Sequence, residues 1–368
     1  MSHVVDSCVS EPASDVLSFA EAIKEALTDA MVADARVVCF GLGVGDPKEV
    51  FGTTAGLQAR FGTARVFDMP ASEAAMTGVA IGAALADLRP VLVHQRLDFC
   101  VMSMDALVNQ AAKWRFMSAG RRTVPLVVRC VLGRGWGQGP THAQAWHAWF
   151  CHVPGLKVVM PTTPADAKGL LLAAIADPDP VLFLEHRWLH ASVGPVPRLG
   201  EIVPLGRAAC RRKGTDISLV AMGYMTVEAL QAAAWLARVG IECEVLDLRT
   251  LRPLDWDAIS ATLAHTGRLL VADVGPLTGS LAGEIVARVA QEQWSALKCA
   301  PERLALPDAP EPTSFALTEG WHPRAEDIVR RVIAMLGVPL DAKALAAEIA
   351  ASRREPHDVP GTWFKGPF

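Results

Sequence analysis

Two stretches of the chain combine proton-transferring side chains with the backbone needed to hold them. The first runs Arg65-Val66-Phe67-Asp68-Met69-Pro70-Ala71-Ser72-Glu73-Ala74-Ala75-Met76-Thr77-Gly78. Ser72 reads as an N-cap, and Glu73 opens a helix over 72–88 composed mostly of Ala, Gly, Val, Ile and Leu. On a solvated helix such a carboxylate merely complements the dipole, worth under ~1 kcal/mol. This helix has no further charge until Asp87, and Gly78 and Gly82 permit close approach by a neighbour. Glu73 is therefore expected at the mouth of a buried helix, in a crevice where desolvation favours its protonated form. The second stretch is Gly133-Arg134-Gly135-Trp136-Gly137-Gln138-Gly139-Pro140-Thr141-His142-Ala143-Gln144. Its glycines predict a pliable loop after a strand, with His142 where the next helix starts. A histidine there tends to be neutral at pH 7 and can give or take a proton. A loop histidine open to water is the plain alternative.

Other chemistries find no support. Gly41-Leu42-Gly43-Val44-Gly45-Asp46 lacks the G-x-G-x-x-G spacing that sets a dinucleotide phosphate on a helix start, and Pro47 follows it. Neither a Walker loop nor a G-x-S-x-G nucleophile elbow occurs. The 8 cysteines form no C-x-x-C pair and the 10 histidines no H-E-x-x-H, so buried apolar cysteines are expected rather than zinc or disulfides. Trp146, Trp149 and Phe150 are expected on a helix face, as core or interface.

These residues need elements to position them. Ser18 and Glu21 form a capping box that opens a helix with Ala22, Ile23, Ala26, Leu27, Ala30 and Met31 on one face. Apolar strands are predicted over 37–40, 91–94, 126–131, 158–160 and 181–184, alternating with helices over 72–88, 104–119, 143–153 and 165–176. The last has Thr163 as N-cap and Pro164 at its first position. After a Pro/Gly-rich passage come strands over 218–222, 243–248, 269–274 and 303–306, with helices over 227–239, 256–266, 281–294 and 325–336. Strands without polar alternation, joined by helices, imply parallel sheets covered on both faces. The fold expected is α/β, two doubly wound and mainly parallel domains. The divisions are a loose tail over 1–16, a first domain over 17–190, a linker over 191–206, a second domain over 207–340, and a helix with an extended tail over 341–368.

Composition agrees. The 368 residues are 51% hydrophobic with mean hydropathy +0.27, enough for two large cores. Thirty-five Lys and Arg against 39 Asp and Glu leave a charge of −4, which argues against a nucleic-acid binder. No apolar run approaches the ~20 residues of a membrane span, and no secretory pattern opens the chain. A cytoplasmic protein is expected.

Taken together, several stretches resemble the beta subunit of the decarboxylating component of 2-oxo-acid dehydrogenase complexes, pyruvate or branched-chain type. That subunit belongs to the transketolase-like, thiamine-diphosphate-dependent superfamily. Besides 65–78, the resemblance rests on Asn109-Gln110-Ala111-Ala112-Lys113 and Pro154-Gly155-Leu156-Lys157-Val158-Val159-Met160-Pro161. Pro164-Ala165-Asp166-Ala167-Lys168-Gly169-Leu170-Leu171 and Asp247-Leu248-Arg249-Thr250-Leu251-Arg252-Pro253-Leu254-Asp255 complete the set. It implies a pyrimidine-binding domain followed by a transketolase C-terminal domain. Glu73 then matches the glutamate that hydrogen-bonds N1′ of the cofactor's aminopyrimidine, favouring the imino form that takes the thiazolium C2 proton. Phe99 falls where the family packs an aromatic on the pyrimidine. His142 matches the histidine of its Q-H-S-Q motif, implied to orient or protonate bound intermediates or to assist acyl transfer. A monovalent cation such as K+ is implied near Ala174, Asp177 and Asp179, where Pro178 intrudes.

Departures cluster around this site. The family's acidic Gly-Glu-Asp/Glu-Val segment reads Gly41-Leu42-Gly43-Val44, the run after Arg89-Pro90 reads Val93-His94-Gln95-Arg96-Leu97, and Thr141 and Ala143 flank His142. They point to a non-standard substrate or acceptor, or to reduced activity. Gly-Asp-Gly, which holds magnesium and the diphosphate, occurs nowhere in the chain. The resemblance therefore implies an alpha-type partner carrying that motif and Mg2+, in an α2β2 assembly, with a lipoyl acyltransferase as a further partner. The competing functions are one half of a split transketolase-like or acyloin-forming carboligase, and a non-catalytic scaffold.

Overall fold

The computed structural model describes residues 14–46, 50–135, 137–198, 202–364 and 366. In the first part of the chain, β1 (Ser14–Ser18) leads into α1 (Phe19–Ala33), β2 (Val37–Gly41), α2 (Leu57–Phe61), β3 (Val66–Asp68), α3 (Glu73–Leu85) and β4 (Arg89–His94). There follow α4 (Leu97–Cys100), α5 (Trp114–Met117), β5 (Val127–Leu132), α6 (His147–Cys151), β6 (Lys157–Val159), α7 (Pro164–Ala176), β7 (Val181–His186) and β8 (Val193–Pro197). The second part holds β9 (Ala209–Arg212), β10 (Ile217–Ala221), α8 (Tyr224–Ala237), β11 (Cys243–Asp247), β12 (Thr250–Arg252), α9 (Trp256–Thr266) and β13 (Leu269–Pro276). It ends with α10 (Leu281–Glu292), β14 (Glu302–Leu306), α11 (Ala325–Leu336) and α12 (Ala342–Ser352). No helix of the described residues is long and apolar enough to cross a membrane.

Local chemistry sets the helix starts as expected. Ser18 and Glu21 close a capping box on α1, and Thr163 accepts from the Asp166 amide at the start of α7. The first sheet runs β12-β6-β7-β5-β4-β2-β3 and the second β14-β13-β10-β11-β9. Both are parallel except for one antiparallel edge strand each, β12 and β9. Strands β5 and β7 are buried along their whole length, which is why they read as mostly apolar runs without polar alternation, Arg129, Glu185 and His186 aside.

Four segments depart from their expected form. The stretch over 104–119 is not one regular helix: a turn of π-helix (Ala106–Gln110) and a 3-10 turn (Ala111–Lys113) precede α5. The helix expected over 143–153 is only α6, five residues long. Residues 14–16, expected in a loose tail, lie in β1, which pairs antiparallel with β8 from within the expected linker. The last residues are not a free tail either. The Trp363 indole donates to the Trp188 carbonyl at 2.8 Å, and Asp358 pairs with buried Arg134 at 3.2 Å.

The two domains are stitched by charge as well as by β12. Asp166 of α7 pairs with Arg249 at 2.9 Å and with Arg211 of β9, which also reaches Asp247 of β11 at 2.9 Å. Burial pushes the Asp247 carboxyl up to about 6, although Arg211 pulls the other way. Removing one member of a buried pair strands the other. Asp166→Ala should therefore cost about 3 kcal/mol in urea unfolding. Arg212→Ala, at an exposed pair with Glu242, should cost under ~1 kcal/mol.

Candidate active site

Strands β2, β4, β5 and β7 are mutually parallel, so their carboxyl ends meet at one side of the first sheet. The chain steps from β2 outward to β3 and returns to β4 on the other side of β2. Such a reversal opens a crevice, the usual ligand position in open α/β sheets. Gly41 is required there. It sits at φ 150°, and a Cβ would overlap the Val93 backbone.

Glu73 is the first residue of α3, the helix that follows the carboxyl end of β3. The Ser72 hydroxyl, expected to cap the helix, makes no cap hydrogen bond. The Glu73 side chain is half-buried and makes no hydrogen bond or ion pair among the described residues. Nor is the helix buried all round. Ala74, Ala75, Gly78 and Gly82 are exposed, Val79 is 53% exposed, and nothing stands within 4 Å of where a Cβ on either glycine would lie. The crevice expected around Glu73 is thus only half made by this chain.

Phe99 and His142 do meet. Their rings stand edge to face with centroids 5.2 Å apart. What brings them together is Asp98, which is 8% exposed and accepts from the Gln144 side-chain amide at 3.0 Å. The Gln144 backbone amide reaches the same carboxylate oxygen at 3.3 Å. This pair clamps the glycine-rich loop onto α4. Sequence reasoning missed it, although one acidic residue among Leu97, Phe99 and Cys100 was a visible signal. His142 itself is exposed and lies in a turn, five residues before α6 begins at His147. A helix terminus therefore does not act on it. Its Nδ1 is 2.9 Å from the Thr141 hydroxyl, which can donate or accept, so either tautomer leaves Nε2 facing outward chemistry as donor or base.

Glu73 touches neither ring among the described residues but is tied to them beneath the helix. Thr77 Oγ1 donates to the Glu73 carbonyl at 2.8 Å and lies 3.0 Å from His94 Nε2 at the end of β4. Ser103, four residues after Phe99, joins the same cluster at 2.9 Å from Thr77. A neutral His94 with Nε2–H donating to Thr77 satisfies this arrangement. Its Nδ1 is buried without a partner, and burial brings the ring down to about 4.

The segment expected to hold K+ has its acceptors engaged by protein cations. Lys157 pairs with Asp177 at 2.6 Å, Arg115 pairs with Asp179 at 2.5 Å, and Arg89 donates to the Ile175 carbonyl at 2.8 Å. A potassium ion held by the carbonyls of this segment would compete with Arg89 for that of Ile175. Trp146 and Trp149 stack with centroids 4.6 Å apart and line a groove of about 2370 Å³. None of Glu73, Phe99 and His142 lines that groove.

Residues 15–191 match the transketolase pyrimidine-binding domain and residues 206–328 the transketolase C-terminal domain. The chain is 42% identical, over 85% of its length and 95% of the relative's, to the acetoin:2,6-dichlorophenolindophenol oxidoreductase subunit beta of Cupriavidus necator. It is 40% identical to the mitochondrial pyruvate dehydrogenase E1 component subunit beta-1 of Arabidopsis thaliana, covering 84% and 86% of the two chains. The chain belongs to this family of transketolase-like dehydrogenase beta subunits. The 2-oxoisovalerate dehydrogenase subunit beta of Bacillus subtilis is a further member, 40% identical over 80% of this chain and 90% of its own. In fold, the beta subunit is similar to a split-gene transketolase solved as an inactive beta4 tetramer, with TM-score 0.72 and 22% identity, covering 88% and 99% of the chains. These beta subunits are thiamine-diphosphate enzymes, so the fold class and the family expected from sequence both stand.

The His94 cluster makes a pH prediction. A histidine whose folded pKa is depressed contributes stability that is complete above its unfolded value, 6.5, and lost as pH falls toward about 4. Each such group adds a slope of about 1.4 kcal/mol per pH unit in that window. His186, pushed down to about 3 by burial, acts in the same sense. Urea midpoints should therefore fall from pH 6.5 to pH 4.5, and His94→Gln, which keeps a donor to Thr77, should remove about one proton's worth of slope.

Proposed function

We propose that this chain binds the aminopyrimidine end of thiamine diphosphate and serves an enzyme that decarboxylates a 2-oxo acid and passes the acyl unit to an acceptor. The observation that carries this reading is the Phe99–His142 contact, with a half-buried Glu73 whose carboxylate has no partner among the described residues, on elements that leave the carboxyl ends of a family-matched sheet. The residues fit the group. Glu73 stands ready to hold a proton at a ring nitrogen, and Phe99 offers an aromatic face. Bound thiamine diphosphate supplies the electron sink for the bond that breaks.

Within that frame each side chain has one task. The Glu73 carboxyl donates to N1′ of the pyrimidine and sets its tautomer. The Phe99 ring packs on the pyrimidine plane. His142 Nε2 gives a proton to, or takes one from, the bound substrate, with Thr141 holding the opposite nitrogen. Asp98 and Gln144 keep Phe99 and His142 in register. The departures at Leu42, Gly43, His94 and Arg96 fall at the end of β4 or in the segments that follow β2 and β4, and this reading assigns them to the choice of substrate or acceptor or to a lowered activity.

The other half of the site belongs to an alpha-type partner. Gly-Asp-Gly is absent from the sequence, so magnesium and the diphosphate need another chain, and the exposed small-residue stripe of α3 beside Glu73 offers the contact surface. An α2β2 assembly satisfies both requirements, and a lipoyl acyltransferase is the acceptor expected of a dehydrogenase complex. Transfer to free lipoamide, rather than carboligation products seen by mass spectrometry, separates this reading from a split carboligase.

In the reconstituted enzyme, Glu73→Gln should slow exchange of the thiazolium C2 proton by ~10²–10⁴-fold, the usual loss of acid–base catalysis. His142→Ala should leave that exchange intact while lowering turnover; equal losses in both assays would mark His142 as structural. By calorimetry the isolated chain should bind thiamine diphosphate and magnesium weakly. Tight magnesium-dependent binding without a partner would overturn the division of the site.

A further inference from the structure

Five arginines are buried among the described residues: Arg96, Arg129, Arg134, Arg187 and Arg324. Three of them face carboxylates. Arg129 pairs with Glu185 at 2.7 Å, Arg134 with Asp358 at 3.2 Å and Arg324 with Glu228 at 3.3 Å. Arg96 and Arg187 do not, although they are only 4% and 7% exposed. Both guanidinium groups lie over one ring, that of Phe51, at 5.6 and 4.3 Å from its centroid.

Their hydrogen bonding is just as one-sided. Arg96 donates to the Gln138 side-chain oxygen at 2.7 Å and the Gly133 carbonyl at 3.2 Å, both neutral. The Arg187 guanidinium makes no hydrogen bond or ion pair among the described residues, and its Nε is buried without a partner. The carboxylates that act on Arg96 from a distance are engaged elsewhere: Asp98 by Gln144, and Glu311 beside Arg134 and His322. Burial and the repulsion of Arg96 bring Arg187 down to about 10. Two buried cations with no carboxylate in ion-pair contact among the described residues are costly, and what the pair lacks there is negative charge.

Both residues stand at the carboxyl end of the first sheet. The Arg96 carbonyl accepts from the Phe99 amide at 3.1 Å, so Arg96 and Phe99 share one helical turn. Gln138, which orients Arg96, belongs to the loop that carries His142. Arg187 opens the turn that follows β7. We propose that Arg96 and Arg187 receive a non-reacting oxyanion, a carboxylate or a phosphate, carried by the substrate. Forked N–H donors match such a group two bonds at a time.

The inference rests on the thiamine reading above and narrows its substrate class. The carboxylate that leaves as carbon dioxide loses its charge in the reaction, so fixed cations on it would stabilise the ground state more than the transition state. The paired arginines therefore suit a second oxyanion, distant from the keto carbon. A substrate with only one carboxylate, or with none, leaves the pair unfilled.

The test is calorimetric titration of the full-length chain with inorganic phosphate and, separately, with succinate. One site per chain should be filled, and which probe fills it tells phosphate from carboxylate. Arg96→Gln and Arg187→Gln should each weaken binding by at least about tenfold. Arg187→Lys keeps the charge but loses the fork; it should bind more weakly than the native chain, and it stands in if a glutamine variant fails to fold. Uptake of neither probe, or equal binding by the variants, would overturn the proposal. C2 proton exchange in the assembled enzyme involves no oxyanion, so its loss would count against the thiamine reading alone.

Discussion

Parallel pairing of β2, β4, β5 and β7 governs the chemistry of this chain, because it forces four strands to end on the same side of one sheet. The register leaves no slack: Val37 to Gly41 lie opposite Arg89 to Val93, and Val127 to Leu132 opposite Val181 to His186. The loops that leave those ends carry Gln95 to Phe99, Gly133 to Gln144 and Arg187 to His190. Glu73 arrives from β3 at the same side. The Phe99–His142 contact is thus a product of strand order, with the Asp98–Gln144 clamp completing what the sheet begins.

Charge is the second organising theme. The first sheet buries Arg129 of β5 against Glu185 of β7, and His190 adds a hydrogen bond at 3.2 Å. Burial alone would raise the Glu185 carboxyl, but Arg129 and His190 hold it below its ordinary value. The histidines respond the other way, His94 and His186 both being kept neutral by desolvation. Buried ionic groups are thus matched almost everywhere they occur. Among the described residues, Arg96 and Arg187 stand out against that background, each without a carboxylate in ion-pair contact.

Much of the fold is legible in the sequence, and what is not has identifiable causes. Helices α9 and α11 begin and end where periodicity places them, and α7 starts at the Thr163 cap, because caps and apolar spacing act locally. Residues 104–119 keep a helical apolar pattern, yet five residues of π-helix are too few to alter a periodicity. The 143–153 pattern misleads for another reason: Ala143, Ala145 and Trp146 are apolar in a helical way, but the clamp from Asp98 pulls Gln144 into the loop. Strand β12 and the return of the C-terminal residues to Trp188 are contacts between distant parts of the chain, invisible to local reading. At the site, the residue types at 73, 99 and 142 were visible. The exposure of Glu73 was not, since a helix free of charge looks the same whether its second face meets its own chain or another.

Strand β12 also has a consequence for how this protein comes to exist. It is the edge of the first sheet, yet it lies beyond β10, α8 and β11 in the chain. A nascent polypeptide must therefore extend past Arg252 before Thr250 can pair with Val159 and shield β6. Until then the first sheet presents a bare strand, the kind of edge on which chains join each other. Synthesis of the two domains as one continuous polypeptide is thus a safeguard against aggregation, and a fragment cut at their boundary would keep that bare strand permanently.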